Sequence, residues 1–247
     1  MTLALVDERL CADIRERLSS LGYRVIAIPR CKRLPTATAS HPDMLLFILG
    51  DTLFAEEEYL RENADIFDEI SALCPALRIK GLSLRLGATY PQDAPLNILR
   101  GGNTLYARRR SASEEILREA LSLGMRVVDV NQGYPACTVL MLGDSHAITS
   151  DRGMAKSLTE EGVRVLLISD GDVLLPPYEY GFIGGASGVV GDEVLFLGDI
   201  NTHRDAGAII SFCREAGYTP VSLGDSPLSD LGRILFIDTE EHDRKGE

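Results

Sequence analysis

One cysteine of this 247-residue chain lies where covalent chemistry could occur. A thiolate at Cys137, partnered by His203 and an acid such as Asp151, would have the residue types needed to attack an amidine carbon. The alternative is a small buried thiol, which is the commoner state of a free cysteine. The sequence leaves both interpretations open for Cys137. Cys11 and Cys213 fall on the apolar stripes of predicted helices, where a buried thiol is favoured.

Polar and aromatic side chains could form a binding site beside this cysteine. The candidates for substrate contacts are Tyr90, Asp93, Asn97, Tyr134, Tyr180 and Asp230. Carboxylates pair well with cationic groups, so Asp93, Asp151 or Asp230 would hold a positively charged ligand. The sequence therefore predicts a site for a cationic small molecule.

A repeated unit positions these residues. Four times a helix-like stretch ends at a glycine, which terminates helices at little steric cost, and runs into an apolar strand. These glycines are Gly22, Gly124, Gly162 and Gly217, and a degenerate fifth copy has Cys74-Pro75. Between them, pairs of strand-like runs meet at tight-turn dipeptides, which are Gly50-Asp51, Gly102-Asn103, Gly143-Asp144 and Gly191-Asp192. Each unit is therefore predicted to run strand, turn, strand, helix, strand.

The fifth unit is split between the two ends of the sequence. Residues 233–237 supply one strand and residues 3–6 another, and their pairing would close a ring. We predict an α/β fold of five ββαβ blades with pseudo-fivefold symmetry, formed by a single domain over residues 1–238 with a polar tail at 239–247. The alternative is an open doubly wound sheet, which would suit nucleotide binding. That fold has one strand per helix, whereas two strands precede almost every helix here, and no glycine loop opens a helix.

The topology gathers the candidate residues at one end of the ring. If each first strand starts at this end, the second strand returns to it, and the third strand comes back after the helix. The loops between units and the loops from strand to helix then share it, and we call it the ligand end. Its polar and aromatic residues are His41, Asp43, Tyr90, Asp93, Asn97, Asn131, Tyr134, Cys137, Asp151, Tyr180, His203, Asp225 and Asp230.

The architecture resembles the pentein fold of the guanidino-group-modifying superfamily. That superfamily includes arginine deiminases, dimethylarginine hydrolases, amidinotransferases and a non-catalytic ribosome anti-association factor. Several motifs resemble, more specifically, an uncharacterised Firmicutes family assigned to it. They are Tyr90-Pro91-Gln92-Asp93 with Asn97, Gln132-Gly133-Tyr134 with Cys137, residues 148–153, residues 180–188, Gly198 with His203, and Asp230-Leu231-Gly232.

The sequence departs from the known enzymes of the superfamily in two places. Those enzymes carry a late His-Cys pairing and an acidic Glu-Gly-Gly-Asp-like strand. Here the C-terminal region holds Asp225 and Asp230 without a cysteine, and the glycine strand reads Ile183-Gly184-Gly185-Ala186. A strand-like run follows these glycines, so we expect close backbone packing there and no phosphate cradle.

The resemblance implies a function of one of two kinds. The first is a cysteine-dependent hydrolase or transferase, or a binder, of guanidino or amidino small molecules. The second is a non-catalytic pentein that acts as a protein- or ribosome-binding module.

Composition limits the other classes. The net charge of −12 disfavours nucleic acid and mildly favours a cationic ligand. The five cysteines form no C-x-x-C pair, so we expect reduced thiols, no zinc ribbon, and neither a metal nor another cofactor. No apolar run approaches the roughly 20 residues of a membrane helix, and no basic leader precedes the first strand. We therefore expect a bacterial cytoplasmic protein without membrane contact, and the sequence gives no indication of its oligomeric state.

Overall fold

Short apolar runs punctuated by glycine turns form fifteen strands in the computed structural model, which describes residues 1–239. The strands make five separate sheets of three strands each. In every sheet the central strand pairs antiparallel with one neighbour and parallel with the other. A helix links the two parallel strands. This arrangement confirms the predicted five ββαβ units.

The elements follow one another in the predicted order. The N-terminal segment contains β1 (Thr2–Asp7), α1 (Ala12–Ser20) and β2 (Arg24–Ile28). The first complete unit contains α2 (Pro42–Leu45), β3 (Phe47–Leu49), β4 (Thr52–Glu56), α3 (Glu57–Glu62), α4 (Ala64–Leu73) and β5 (Arg78–Leu82). The second contains β6 (Leu99–Gly101), β7 (Thr104–Ala107), α5 (Glu114–Ser122) and β8 (Arg126–Asp129).

The third and fourth complete units repeat this order. The third contains α6 (Pro135–Thr138), β9 (Val139–Leu142), β10 (His146–Thr149), α7 (Arg152–Glu160) and β11 (Arg164–Leu167). The fourth contains β12 (Ser187–Val190), β13 (Glu193–Phe196), a 3₁₀ turn (Ile200–Thr202), α8 (Ala206–Glu215) and β14 (Thr219–Ser222). The last described strand is β15 (Leu235–Asp238).

The hairpin turns have the backbone geometry that their glycines predict. Gly50 has a φ of 58° and Gly102 a φ of 55°, a region that L side chains rarely adopt. In the β3–β4 hairpin, Leu49 pairs with Thr52, which leaves a two-residue turn. The glycines therefore fix which residues of the first two strands face each other.

The ring closes through the two ends of the sequence, as predicted. β15 pairs antiparallel with β1, from Thr2 opposite Asp238 to Leu5 opposite Leu235, and β1 pairs parallel with β2. The Thr239 amide donates a hydrogen bond to the Met1 carbonyl oxygen at 3.1 Å. The predicted polar tail falls on residues 239–247, of which 240–247 lie outside the described residues.

The first strands of the units lie next to one another around the centre of the ring. β9 contacts both β6 and β12, and β12 also contacts β15. The helices cover the sheets with apolar stripes, such as Ile116, Leu117 and Ala120 of α5. No helix within residues 1–239 is both long and apolar enough to span a membrane. The segments that precede the first strands thus converge at the ligand end.

Candidate functional site

A cavity of about 470 Å³ opens at the ligand end. Its wall combines aromatic side chains with acidic groups and one thiol. The first strands of all units begin at this end of the fold. The lining residues are Pro35, Thr38, His41, Met44, Asp93, Gln132, Tyr134, Cys137, Leu175, Tyr178, Glu179, Tyr180, Phe182 and Asp230. A cavity of this size and lining is typical of a small-molecule site.

Cys137 lies at the buried end of this cavity in a polar network. It belongs to α6, whose first residue is Pro135, and its side chain is almost fully buried. The Cys137 thiol donates to Asp43 Oδ2 at 2.9 Å, and Asn97 Nδ2 donates to Sγ at 3.0 Å. Asn97 Oδ1 in turn accepts from the Ala136 amide at 2.8 Å. Three different units therefore hold this thiol in place.

Two of these units present their polar residue in the same way. The four-residue helix α2 begins with Pro42 and ends just before β3, and α6 begins with Pro135 and ends just before β9. Proline suits the first helical position because the backbone N–H that it lacks would have no partner within the helix at that position. Asp43 and Cys137 lie on these matching turns, which brings their side chains together at the centre of the ring.

The imidazole ring of His41 lies beside this pair, and neither of its nitrogens has a hydrogen-bond partner within the described residues. It is completely buried, and neither Nδ1 nor Nε2 is paired. Nε2 lies 3.9 Å from Asp7 Oδ2 and Nδ1 lies 3.8 Å from Asp230 Oδ1. Burial lowers the pKa of His41 to about 3, so its ring is neutral at physiological pH.

Asp230 also lies at the buried end of the cavity. Its Oδ2 accepts from the Phe182 amide at 2.9 Å and its Oδ1 from the Gly232 amide at 3.1 Å. Burial, with a contribution from the nearby Asp43 charge, raises the pKa of Asp230 to about 7. Gly185 lies against this carboxyl group, and a Cβ there would overlap Asp230 Oδ1. Asp230 is therefore fixed in direction and titrates near neutrality.

The thiol and its carboxylate neighbours disfavour each other's charge. Burial raises the pKa of Cys137 well above its usual value, and the Asp43 and Asp230 carboxylates add to this effect. Burial also raises the pKa of Asp43 to about 6. Burial and these neighbours therefore keep Cys137 as a protonated thiol, because a thiolate would add a negative charge beside two carboxyl groups.

The cavity mouth is aromatic and acidic. The Tyr134 hydroxyl donates to Asp93 Oδ2 at 2.8 Å, while Asp93 Oδ1 is buried and unpaired. Burial raises the pKa of Asp93. The ring of Tyr90 lies against that of Tyr134, with centroids 6.1 Å apart, and Tyr180 lies against Phe182 at 6.2 Å. A planar cation entering here would meet aromatic faces and a free carboxylate oxygen.

The structure brings together most of the residues expected in substrate contacts. Asp93, Tyr134, Tyr180 and Asp230 line the cavity with Cys137. Asn97 bonds to the thiol, and Tyr90 packs on Tyr134 at the rim, as described above. The roles assigned to these residues stay predictions, but their common location is a property of the fold.

The two proposed partners of Cys137 lie elsewhere in the described structure. His203 Nδ1 accepts from the Asp205 amide at 3.0 Å and lies 3.9 Å from Asp172 Oδ2, and His203 is not among the residues that line the cavity. Asp151 caps α7 by accepting from the Met154 amide at 2.8 Å. Its other oxygen accepts from Gln132, which does line the cavity. Asp151 is thus one residue removed from the site.

From the sequence, His41 and Asp43 are expected at the ligand end, but no role is assigned to them. The signal that could have identified them is the proline that opens a short turn before each of two apolar first strands, Pro42 before β3 and Pro135 before β9. In a ring of repeats, equivalent positions before the inner strands must approach one another. Aligned on Pro42 and Pro135, Asp43 corresponds to Ala136 and Cys137 to Met44, so the repeat predicts that the two turns approach each other but not which side chains pair.

The same three side chains are of types that bind metal ions. One ligand atom each of His41, Asp43 and Cys137 lies within 4.8 Å of the others. Ligands of a tetrahedral zinc ion stay about 3.5 Å apart, given metal–ligand distances of about 2.0–2.3 Å. The separation of 2.9 Å between Cys137 Sγ and Asp43 Oδ2 is shorter and matches a hydrogen bond. The arrangement is therefore that of a hydrogen-bonded thiol, not of a formed metal site.

Unpaired polar atoms are concentrated in this cavity. Buried side-chain nitrogen or oxygen atoms without a partner occur at only four described residues, and three of these, His41, Asp43 and Asp93, lie at this site. The fourth, Arg33, lies elsewhere. Buried polar groups are nearly always paired, so such a group at a cavity commonly awaits a ligand or water.

Solved structures with a similar fold were compared with this chain. DDAH from Pseudomonas aeruginosa, a mutant complexed with citrulline, superposes with a TM-score of 0.57 at 11% identity, covering 90% of both chains. The amidinotransferase SxtG from Microseira wollei gives 0.55 at 11% identity, covering 89% of this chain and 75% of the other. Agmatine deiminase from C. jejuni gives 0.52 at 7% identity, covering 90% and 76%. At these identities the likeness concerns the fold.

Sequence comparison assigns the family. No protein with a curated description matches the chain. A family model described as a family of unknown function, DUF6873, matches residues 5–235. Because the match extends over nearly all of the described residues, the chain belongs to the DUF6873 family, and its five ββαβ units form a pentein fold.

Proposed function

We propose that this protein is a Cys137-dependent hydrolase or transferase of a guanidino or amidino small molecule. The observation that carries the proposal is the position of Cys137 Sγ at the buried end of a cavity, beside the carboxyl groups of Asp43 and Asp230 and the unpaired ring of His41. The pentein fold, shared with an amidinotransferase, DDAH and a deiminase, supports the same class of substrate.

The cavity supplies the acceptors that a guanidinium group requires. A guanidinium has five N–H donors in a rigid plane and no acceptor. Asp93 Oδ1 is a buried oxygen without a donor in the cavity wall, and Asp230 adds a second carboxyl group to the lining. Asp43 Oδ1, which is also unpaired, belongs to the carboxyl group that accepts from the Cys137 thiol. Binding of the cation would therefore pair atoms that are otherwise buried at a cost of about 1–3 kcal/mol each.

The bound cation would also activate the thiol. A positive charge beside Asp43 and Asp230 offsets the carboxylates that raise the pKa of Cys137, so the thiolate becomes accessible only when substrate is present. The thiolate then forms a bond to the central carbon, and the carbon–nitrogen bond to the leaving amine breaks. The thiol proton passes through Asp43 or His41 to that amine.

The second half of the reaction determines the product. Attack by water on the thiouronium intermediate releases Cys137 and gives a ureido product, as in a hydrolase. Attack by a second amine transfers the amidino group instead. His41, whose ring is neutral and has one free acceptor nitrogen, is the group placed to accept a proton from the incoming water or amine.

A second candidate function is binding without chemistry. It is favoured by the full hydrogen bonding of the Cys137 thiol, which donates to Asp43 and accepts from Asn97 as a structural thiol would. In this case the protein is a small-molecule binder or, as the alternative from sequence, a non-catalytic protein- or ribosome-binding module. The single domain at residues 1–238, the cytoplasmic location and the origin in Firmicutes stay predictions of the sequence.

The proposal is tested with a panel of guanidino and amidino compounds that includes methylated arginines and agmatine. Ligands should raise the melting temperature of the wild-type protein, because they bind only the folded state. Asp93→Asn should reduce that shift. Ammonia, urea, a released amine or a transferred amidino group should appear with wild type and be absent with Cys137→Ser, since a hydroxyl is a far poorer nucleophile at neutral pH.

Controls separate the outcomes. The expectation that Cys11 is buried on a helix stripe was wrong, because Cys11 is the exposed N-cap residue before α1. Cys11→Ser should therefore leave both thermal shift and turnover unchanged. Binding that persists in Cys137→Ser, with no product from any protein, identifies a binder. A panel without thermal shift or turnover refutes the small-molecule proposal and favours the partner-binding module.

A further inference from the structure

A second cavity, of about 250 Å³, lies on the opposite side of the Cys137–Asp43 pair. Its residues come from α2 and α6, from β3, β6 and β15, and from the segments just before these strands, so the cavity extends from the ligand end along the first strands. The lining is apolar except for three charged groups, and it comprises Asp43, Leu46, Phe47, Ile48, Leu96, Ile98, Arg100, Ala136, Arg233, Leu235 and Phe236. Cys137 lines the first cavity and Asp43 the second, so their hydrogen bond is the partition between the two.

Arg233 is held in this cavity by an unusual backbone conformation. Its φ is 60°, the one positive φ at a non-glycine residue in the described chain. Glycine would adopt this conformation without strain, whereas an arginine incurs a cost that persists where the side chain has a function. The Arg233 amide donates to the Gly185 carbonyl oxygen at 2.8 Å, which fixes the turn before β15.

The positive charges of the second cavity are not neutralised by contacts within residues 1–239. The guanidinium of Arg233 has no hydrogen bond or ion pair there, and the Asp43 carboxylate that lines the same cavity acts on it only from beyond ion-pair distance. Arg100, at the mouth, donates through Nε to the Gly102 carbonyl oxygen, which carries no net charge. Two cations therefore face a mostly apolar cavity.

We propose that the second cavity binds a small carboxylate with an apolar body, with Arg233 as its charge partner. The flat guanidinium fork pairs with a carboxylate through two parallel hydrogen bonds. The aliphatic and phenyl side chains of the first strands then cover the hydrocarbon part. At about 30 Å³ for each water molecule, the volume equals roughly eight waters, which suits a short or branched monocarboxylate.

The proposal does not depend on chemistry at Cys137, and its test uses a different ligand series. Wild-type protein is titrated with monocarboxylates of four to eight carbons, with the matching neutral amides and with inorganic phosphate, while melting temperature and calorimetric affinity are measured. Carboxylates should raise the melting temperature, and the amides should not. Arg233→Gly should fold at least as stably, because it relieves the positive φ, and should weaken carboxylate affinity by tenfold or more.

Further variants place the site. Arg233→Met removes the guanidinium without introducing a glycine, and it should lose carboxylate affinity as Arg233→Gly does. The two controls, the surface variant Arg78→Met and the first-cavity variant Asp93→Asn, should bind carboxylates with the affinity of wild type. The proposal is overturned if wild type shows no response, if amides or phosphate act as strongly as carboxylates, or if Arg233→Gly retains full affinity. Loss of carboxylate binding in Asp93→Asn also overturns it, because the ligand would then occupy the first cavity.

Discussion

Replacing Asp43 with Asn should make Cys137 more reactive. The two side chains have nearly the same size, so the substitution removes a charge next to Sγ, at 2.9 Å, without opening a cavity. Two unit charges 4 Å apart interact by about 4 kcal/mol at an effective dielectric constant near 20. If solvent and protein relaxation halve that value, about 2 kcal/mol remains. This equals roughly 1.5 pKa units, or about a 30-fold larger thiolate fraction.

The assay is alkylation of the native protein with iodoacetamide at pH 8, followed by mass-spectrometric mapping of the cysteine-containing peptides. The Cys137 peptide of Asp43→Asn should be labelled about 30 times faster than that of wild type. The exposed Cys11 peptide in the same digest measures reagent activity, and Asp51→Asn, at an exposed hairpin, controls for loss of a charge elsewhere. Equal or slower labelling in Asp43→Asn, with an unchanged melting temperature, would refute the electrostatic argument.

Two further predictions concern stability. Burial raises the pKa of Asp230 to about 7. The folded state therefore keeps a proton on this carboxyl group that the unfolded chain releases near pH 4. The stability that this proton contributes is fully present below pH 4 and is lost as the pH rises to 7. The unfolding free energy of wild type relative to Asp230→Asn should therefore fall by up to about 4 kcal/mol over this range in urea titrations, and a constant difference would contradict the shift. Gly184→Ala should lower the unfolding free energy by about 3 kcal/mol, because the new Cβ would lie 2.5 Å from the carbonyl oxygens of Ala136 and Val139. The control Gly207→Ala, with no neighbour within 4 Å of a Cβ, should change the unfolding free energy by less than about 1 kcal/mol. Equal effects of the two substitutions in thermal unfolding would show that the backbone before β12 shifts to accommodate the methyl group.

The repeat could be predicted because the glycines that mark its turns and helix ends are required by local backbone conformation. A glycine with positive φ occupies each of the four hairpin turns and follows α1, α5, α7 and α8, and it leaves a mark in the sequence that does not depend on distant contacts. The split unit followed from counting, since one strand at each end of the sequence lacked a partner. The close packing predicted at Gly184 was confirmed, because backbone oxygens of the adjacent turn occupy the space of a Cβ.

The candidate site could be predicted only in part, because loops at one end of a ring differ in how far they turn inward. His41 and His203 both follow loops of the ligand end, and nothing in their local sequence ranks one above the other. The structure separates them: His41 is enclosed between Asp7 and Asp230, whereas His203 contacts Asp172 and Asp205. The catalytic pairing of Cys137 with His203 stays a prediction without a contact to support it.

The closing sheet gives this chain a high contact order. Leu5 pairs with Leu235, some 230 residues later, so β1 lacks its antiparallel neighbour until almost all of the described chain has left the ribosome. At synthesis rates of about 5–20 residues per second, that interval is tens of seconds. The other four sheets are assembled from neighbouring segments and can form earlier. Joining Met1 to Thr239 through a short linker and cutting at the Gly191-Asp192 turn would transfer the late pairing to another blade, and refolding of such a circular permutant would report which closure limits the rate.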